Sequence, residues 1–290
     1  MKKLEQISVI GTGLLGASVT LALGRSLPAI TTVAYSHRPA TRRKARRLGV
    51  ADIIADNMAE CVENADIVIL ATPVSAFEQI FRDIAQMLPD GCIVTDVGST
   101  KVLAHRWAKN FLAANVSYIG SHPIAGSEKR GVEFARDDLF FGARCILTKT
   151  VDSNPNSLKT LRHFWSSLGC AVSVMTPPEH DRIFARISHL PHVLAAALIN
   201  AGNPEQLKFA GKGFIDSSRI ASGPANVWTD ILITNSANIS KSIEAVIREL
   251  RRLQRAVSKK NRSQIEKLLN RASSKRAALI KYKMRRNELL

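Results

Sequence analysis

The chain is short of cysteine, of aromatic side chains and of acids, and each shortage removes a class of protein. Its four cysteines, Cys61, Cys92, Cys145 and Cys170, stand more than twenty residues apart. With no C-x-x-C pair and no short Cys/His spacing, no structural metal site and no disulfide framework are expected, and reduced thiols in a cytoplasm are the better reading. Long uncharged apolar runs are also missing, apart from Ile7 to Gly24. That run is interrupted by Gly11, Thr12, Gly13, Gly16, Ser18 and Thr20, so it reads as a strand, a glycine turn and a helix rather than as a signal peptide or membrane span. No internal repeat or low-complexity tract is found.

Acids number 24 against 41 Lys and Arg, a net charge of +17, of which residues 241–290 contribute +12. The basic residues there alternate with apolar ones at helical spacing and are accompanied by few aromatics, which favours a solvated helix face over a nucleic-acid or anionic-membrane surface. What is abundant is apolar residue: 46% of 290. That composition excludes disorder, and the length exceeds what one core usually fills, so two domains are expected.

To about Thr176, short apolar runs at 7–10, 31–35, 66–72, 92–97, 116–121, 144–148 and 170–176 alternate with helix-like stretches, which implies a parallel sheet in an α/β domain. The run Asp66-Ile67-Val68-Ile69-Leu70-Ala71 is nearly all apolar, as a central strand covered on both faces would be. Pro177-Pro178 marks a break. Helical patterns then follow at His180–Ala201, Glu205–Ala221 and from about Pro224 to Arg286. Ile239, Ile243, Val246, Ile247, Leu250, Leu253 and Val257 form an apolar stripe, and Ser263 with Glu266 suggests a capping box that opens a further helix. The expected architecture is a Rossmann-type doubly wound domain, 1–176, followed by an all-α domain, 177–290.

Gly11-Thr12-Gly13-Leu14-Leu15-Gly16 has the G-x-G-x-x-G spacing of a dinucleotide turn between a strand and a helix. At the end of the second strand, where an NAD site usually offers an acid to the ribose, the sequence reads Tyr35-Ser36-His37-Arg38. With no carboxylate there, Ser36, His37 and Arg38, joined by Arg42, suit a 2′-phosphate, and NADP is expected over NAD. Thr72 and Pro73, at the end of the apolar run, complete the candidate cofactor-binding set.

Four later segments carry a resemblance: Thr95-Asp96-Val97-Gly98-Ser99-Thr100-Lys101; Ser121-His122-Pro123-Ile124-Ala125-Gly126-Ser127-Glu128-Lys129-Arg130-Gly131; His180-Asp181 with Ser188-His189-Leu190-Pro191-His192; and Gly213-Phe214 to Ile220-Ala221. In this order they resemble the prephenate dehydrogenase family, which includes the arogenate and cyclohexadienyl dehydrogenases of tyrosine biosynthesis. The resemblance implies oxidative decarboxylation of prephenate to 4-hydroxyphenylpyruvate, or of arogenate to tyrosine. His122 matches the family's catalytic histidine, Ser99 a serine in its hydrogen-bond network, and Arg219 an arginine that grips a substrate carboxylate. His192, Ser188 and His189 correspond to a helix that lines the substrate pocket, Ser127 and Glu128 to residues at its entrance, and Trp228 to an aromatic that packs.

Ile215 departs from many relatives, which carry Arg or Lys there, one helical turn before Arg219. A homodimer through the C-terminal helices is implied, with no additional mutase or regulatory domain.

Overall fold

The computed structural model describes residues 3–125 and 129–285. The chain divides into two compact units, 1–239 and 240–290. The first opens with β1 (Gln6–Ile10), α1 (Leu14–Ser26), β2 (Thr31–Tyr35), α2 (Pro39–Leu48), β3 (Ile53–Ile54), α3 (Met58–Val62) and β4 (Ile67–Leu70). It continues with α4 (Phe77–Ile84), β5 (Ile93–Asp96), α5 (Val102–Phe111) and β6 (Ser117–Tyr118). These six strands form a wholly parallel sheet in the order β3-β2-β1-β4-β5-β6. That is the doubly wound order, whose ligand crevice lies outside the carboxyl ends of the strands where the winding reverses, between β1 and β4.

The alternation along β4 explains its uniform apolarity. Ile67 and Ile69 pack into one core with Val19 and Leu23 of α1, while Val68 and Leu70 pack into the other with Cys61, Phe77, Phe81 and Ala104 from α3, α4 and α5. Both faces are covered, and all four residues are fully buried.

The chain then departs from a single sheet. The apolar run at 116–121 is divided between β6 and β7 (Gly120–Ile124), and β7 starts a second sheet with β8 (Arg144–Thr148) and β9 (Ala171–Met175). β7 and β8 are antiparallel, β8 and β9 parallel. Helix α6 (Pro155–Ser167) covers it with Leu161, Phe164 and Trp165. The two sheets are stitched at β5 and β7: the Thr95 and Ser121 hydroxyls lie 2.6 Å apart, and the Trp165 indole donates to Ser121 Oγ at 3.0 Å. The two-residue β3 was not visible as a run of apolar residues.

Pro177 and Pro178 begin a helix rather than end a domain by themselves: Thr176 caps α7 (Pro177–Phe184), with proline in its first turn where its missing N–H costs nothing. A π-turn, Ala185–His189, joins α7 to α8 (Leu190–Asn200). By length and composition 177–200 is the one described helix apolar enough to cross a membrane. Its His180 and Asp181, however, are buried in the contacts described below. The short α9 (Pro204–Leu207) and α10 (Lys212–Ser218) precede a 3-10 turn, Arg219–Ser222, and α11 (Ala225–Thr234).

The long helical pattern from 224 is broken between α11 and α12 (Ser236–Ser258), and again before α13 (Arg262–Met284). The cap of α13 is Asn261, whose side chain accepts the Gln264 N–H at 3.0 Å, so the helix starts two residues before the Ser263 cap expected from the sequence. Within the second unit, Arg271 of α13 pairs with Glu249 of α12 at 3.0 Å.

Candidate active site

The glycine turn has a distinct reason for each glycine. Gly11 has φ +111°, and a Cβ there would meet the Ala71 carbonyl oxygen at 2.6 Å; a Cβ on Gly16 would meet the Gly11 carbonyl oxygen at 1.9 Å. These two are required by the packing of β1 and α1 against each other and against the end of β4. At Gly13 a Cβ would meet nothing within 4 Å, so this glycine leaves space rather than fills it. Helix α1 begins there with no side-chain cap. Its first N–H groups and the positive end of its dipole therefore suit a pyrophosphate, and the residues present fit a dinucleotide.

Ser36 is buried, whereas His37 and Arg38 are exposed at the entry to α2. Arg42 also meets the backbone of the same loop. Its guanidinium donates to the Ser36 and His37 carbonyls at 2.7 and 3.1 Å and lies 3.6 Å from Asp56, so it braces the loop that carries the other three. On the far side of the crevice, Thr72 and Pro73 lead into a 3-10 turn whose Val74 and Ser75 N–H groups donate to the two carboxylate oxygens of Asp230, at 2.8 and 2.9 Å. A residue of α11 thus anchors the loop after β4.

Ile10, Leu70 and Asp96 share one row across β1, β4 and β5. With strands about 4.8 Å apart, the segment after β5 lies roughly 10 Å from the glycine turn. There Lys101 is fully buried; its ammonium pairs with Asp96 and donates to the Ser121 carbonyl at 2.7 Å. Tyr118 donates to the other Asp96 oxygen at 2.6 Å. This buried cation pins the start of β7, the strand that carries His122.

The His122 ring is buried, with Nδ1 2.8 Å from Nε2 of His180. Nδ1 of His180 is in turn 2.8 Å from Asp181 Oδ1. Asp181 accepts the Lys101 and Val102 backbone N–H groups at 2.8 and 2.9 Å, at the N-terminus of α5. Phe184 stacks on His180 with ring centres 4.4 Å apart and lies 4.9 Å from His122.

Burial, then the neighbouring His180 and the Lys101 charge, hold the His122 pKa far below the ordinary histidine value. Burial and Lys101 bring His180 down to about 2. Both shifts favour the neutral ring. Ser99, by contrast, is half-buried on the loop after β5, and the partner of His122 is His180 rather than Ser99.

The π-turn alters the expected pocket face. Ser188 is half-buried, while His189 is buried with Nδ1 3.2 Å from Asn235 Nδ2, whose amide also donates to the Asp181 carbonyl at 2.8 Å. His189 therefore belongs to the support of Asp181. His192 stacks on Trp228, ring centres 3.6 Å apart and planes 6° from parallel, and both rings pack against Gly223 at the end of the 3-10 turn. Both hold the turn that carries Arg219. Arg219 lines a cavity of about 520 Å³ with Ile199, Leu207, Phe214 and Ile215 among others. His122 is absent from that lining. Ser127 and Glu128 lie outside the described residues.

His180, Asp181, Asn235 and Asp230 were not singled out as site residues from the sequence. Adjacent His180-Asp181 was visible as part of the resemblance, but nothing in the spacing places it against His122, 58 residues earlier. Asp230 and Asn235 carry no sequence signal of their contacts.

A doubly wound sheet with a glycine-rich turn at its switch point, and a buried neutral histidine supplied from the next sheet, defines a nucleotide-binding α/β oxidoreductase. Residues 19–174 match the family described as prephenate dehydrogenase, nucleotide-binding domain, and 176–271 that described as prephenate dehydrogenase, dimerization domain. The chain belongs to the prephenate dehydrogenase family. It is 32% identical over 264 residues to the prephenate dehydrogenase of Bacillus subtilis, covering 89% of this chain and 71% of that one. The crystal structure of prephenate dehydrogenase from A. aeolicus in complex with hydroxyphenyl propionate and NAD+ superposes with a TM-score of 0.88 at 31% identity, over 96% of this chain and 99% of that one. Synechocystis arogenate dehydrogenase superposes with a TM-score of 0.82 at 29% identity, over 94% and 99%.

Proposed function

We propose that the chain is an NADP-dependent prephenate dehydrogenase that forms 4-hydroxyphenylpyruvate by oxidative decarboxylation. The observation that carries this reading is the buried His122, whose surroundings favour its neutral form, on β7, the strand tied to β5 through Thr95 and Ser121. A neutral imidazole accepts the proton of the ring hydroxyl as that oxygen becomes carbonyl-like, and loss of the ring carboxylate as carbon dioxide makes the ring aromatic. The dinucleotide, when bound, supplies the hydride acceptor.

Gly11, Thr12, Gly13, Leu14, Leu15 and Gly16 hold its pyrophosphate, and Thr72 and Pro73 form the opposite wall. Ser36, His37 and Arg38 take the 2′-phosphate, on a loop braced by Arg42. The A. aeolicus relative holds NAD+; the NADP assignment rests on the missing carboxylate after β2. Arg219 binds the side-chain carboxylate of the substrate through its planar fork, on a turn held by His192 and Trp228. Ser99, Ser188, Ser127 and Glu128 complete the pocket.

The functional division falls at 176/177, with 177–290 binding substrate and pairing two copies of the chain. The four buried, unbridged cysteines support a reducing compartment, the cytoplasm.

Likeness to the Synechocystis arogenate dehydrogenase and the uncharged Ile215 beside Arg219 favour arogenate as the second reading. Initial rates with prephenate and arogenate, each against NADP and NAD, test both. The highest kcat/KM is expected for prephenate with NADP; a higher value for arogenate replaces the substrate assignment, and a higher value with NAD replaces that of the cofactor.

A further inference from the structure

We infer that Asp181 and His180 are positioning residues for His122: through two successive hydrogen bonds they keep its proton on Nδ1, so that the lone pair on Nε2 is what a substrate hydroxyl meets. The inference rests on the reading above only for the identity of that hydroxyl. The direction of the chain of bonds follows from its anchored end.

Asp181 receives two backbone N–H groups at the N-terminus of the ten-residue α5, and a helix N-terminus favours the ionised carboxylate. These contacts work against the burial that raises its pKa. An ionised carboxylate only accepts. Nδ1 of His180, 2.8 Å from Oδ1, therefore carries the proton and donates it. A neutral imidazole has one proton, which leaves His180 Nε2 as a lone pair. Two lone pairs do not face each other at 2.8 Å, so the proton between the rings sits on His122 Nδ1, and His122 Nε2 is unprotonated.

The surroundings support this singly protonated state. The Lys101 ammonium, His105 and His189 all disfavour a positive charge on His180, and Lys101, His180 and His189 do so on His122. Phe184, stacked on His180, fixes the plane of the ring between the two bonds. Asn235, which donates to the Asp181 carbonyl, holds the acid from behind. The arrangement lengthens the familiar carboxylate–imidazole pair by one ring: the acid orients a histidine that in turn orients the one at the reacting atom.

Nitrogen-15 NMR of the histidine rings in the ligand-free protein at pH 7.5 tests this without any substrate. His122 and His180 are expected as Nδ1–H tautomers. A His122 that carries its proton on Nε2 overturns the inference. Asp181→Asn, in which a neutral amide with one donor group replaces a carboxylate that accepts at both oxygens, weakens the acceptor that fixes the His180 proton and should give a second, Nε2–H form of His122; a single unchanged tautomer in that variant also overturns it.

In turnover, Asp181→Asn should lower kcat by at least ~10-fold while KM stays within about threefold, as expected for a group that acts only through the base. His180→Gln keeps an acceptor for His122 Nδ1–H and should retain more activity than His180→Leu. In the His180→Gln background, Asp181→Asn should cost little further, because its route to His122 is already cut. An equal loss in both backgrounds shows that Asp181 merely supports the fold and refutes the positioning role. Failure of the unmodified protein to turn over prephenate or arogenate counts against the proposed function, and leaves the tautomer result to stand or fall separately.

Discussion

Four histidines held toward the neutral form, His122, His180 and His189 buried and His105 half-buried, are expected to make the protein acid-sensitive well above the usual carboxylate range, and the size of the effect follows from linkage. Burial and neighbouring charge bring His105 and His189 down to about 4, His180 to about 2 and His122 far below its ordinary value. Unfolded, each titrates near 6.5. Between the two values the unfolded chain binds protons that the native protein does not, so stability falls as pH drops below about 6.5. At pH 5.5 each histidine costs RT ln 11, about 1.4 kcal/mol. Together the four cost about 5–6 kcal/mol relative to pH 7.5, a large share of a typical domain's stability.

Asp181, raised by burial, works in the opposite sense by taking up its proton first in the native state, and offsets part of this loss at the acid end. Urea unfolding from pH 7.5 to pH 5.5, followed by circular dichroism, measures the slope. His189→Asn should remove one proton from it, about 1.4 kcal/mol less loss over that interval. A stability that is flat down to pH 5.5, or an unchanged slope in the variant, would refute the claim that these rings are held neutral.

The glycines of the turn separate packing from ligand space. Gly16→Ala places a Cβ 1.9 Å from the Gly11 carbonyl oxygen and should lower the melting temperature, whereas Gly13→Ala meets nothing within 4 Å. The latter should leave stability within about 0.5 kcal/mol yet weaken dinucleotide binding by at least ~10-fold, measured by titration calorimetry. Asp230→Ala strands the buried Val74 N–H and leaves the exposed Ser75 N–H to water; it should cost about 1–2 kcal/mol in denaturant unfolding, with weaker dinucleotide binding because the Thr72-Pro73 loop loses its anchor. Arg38→Ala should reduce affinity for NADP by ~10-fold and leave that for NAD nearly unchanged, as expected for loss of a charged phosphate contact.

The sheet was legible because its physics is local. Ile67 to Leu70 are apolar at every position since both faces are covered, and Gly11 and Gly16 are fixed by backbone approach within one β-α turn. His122 and Arg219 were legible only through the resemblance. What escaped were contacts between distant segments. Nothing around His180 or Asp230 announces that one will meet His122 and the other the loop after β4, because a side-chain bond across many residues leaves no periodic trace. Ideal spacing also left out contacts made where the backbone departs from regular geometry. The π-turn at Ala185–His189 rotated His189 toward Asn235, although 188, 189 and 192 are close in ideal helical spacing. Likewise Arg42 has the chemistry of a phosphate ligand and also meets the Ser36 and His37 carbonyls of its own loop.

The central claim is that the His122 imidazole accepts a proton from the substrate. Turnover of prephenate with NADP by His122→Asn, followed at the reduced-nicotinamide band, tests it most directly once dinucleotide binding by the variant has been shown to be intact. A fall in kcat of ~10²–10⁴ is predicted, the usual contribution of a general base. Turnover near that of the unmodified protein would contradict it.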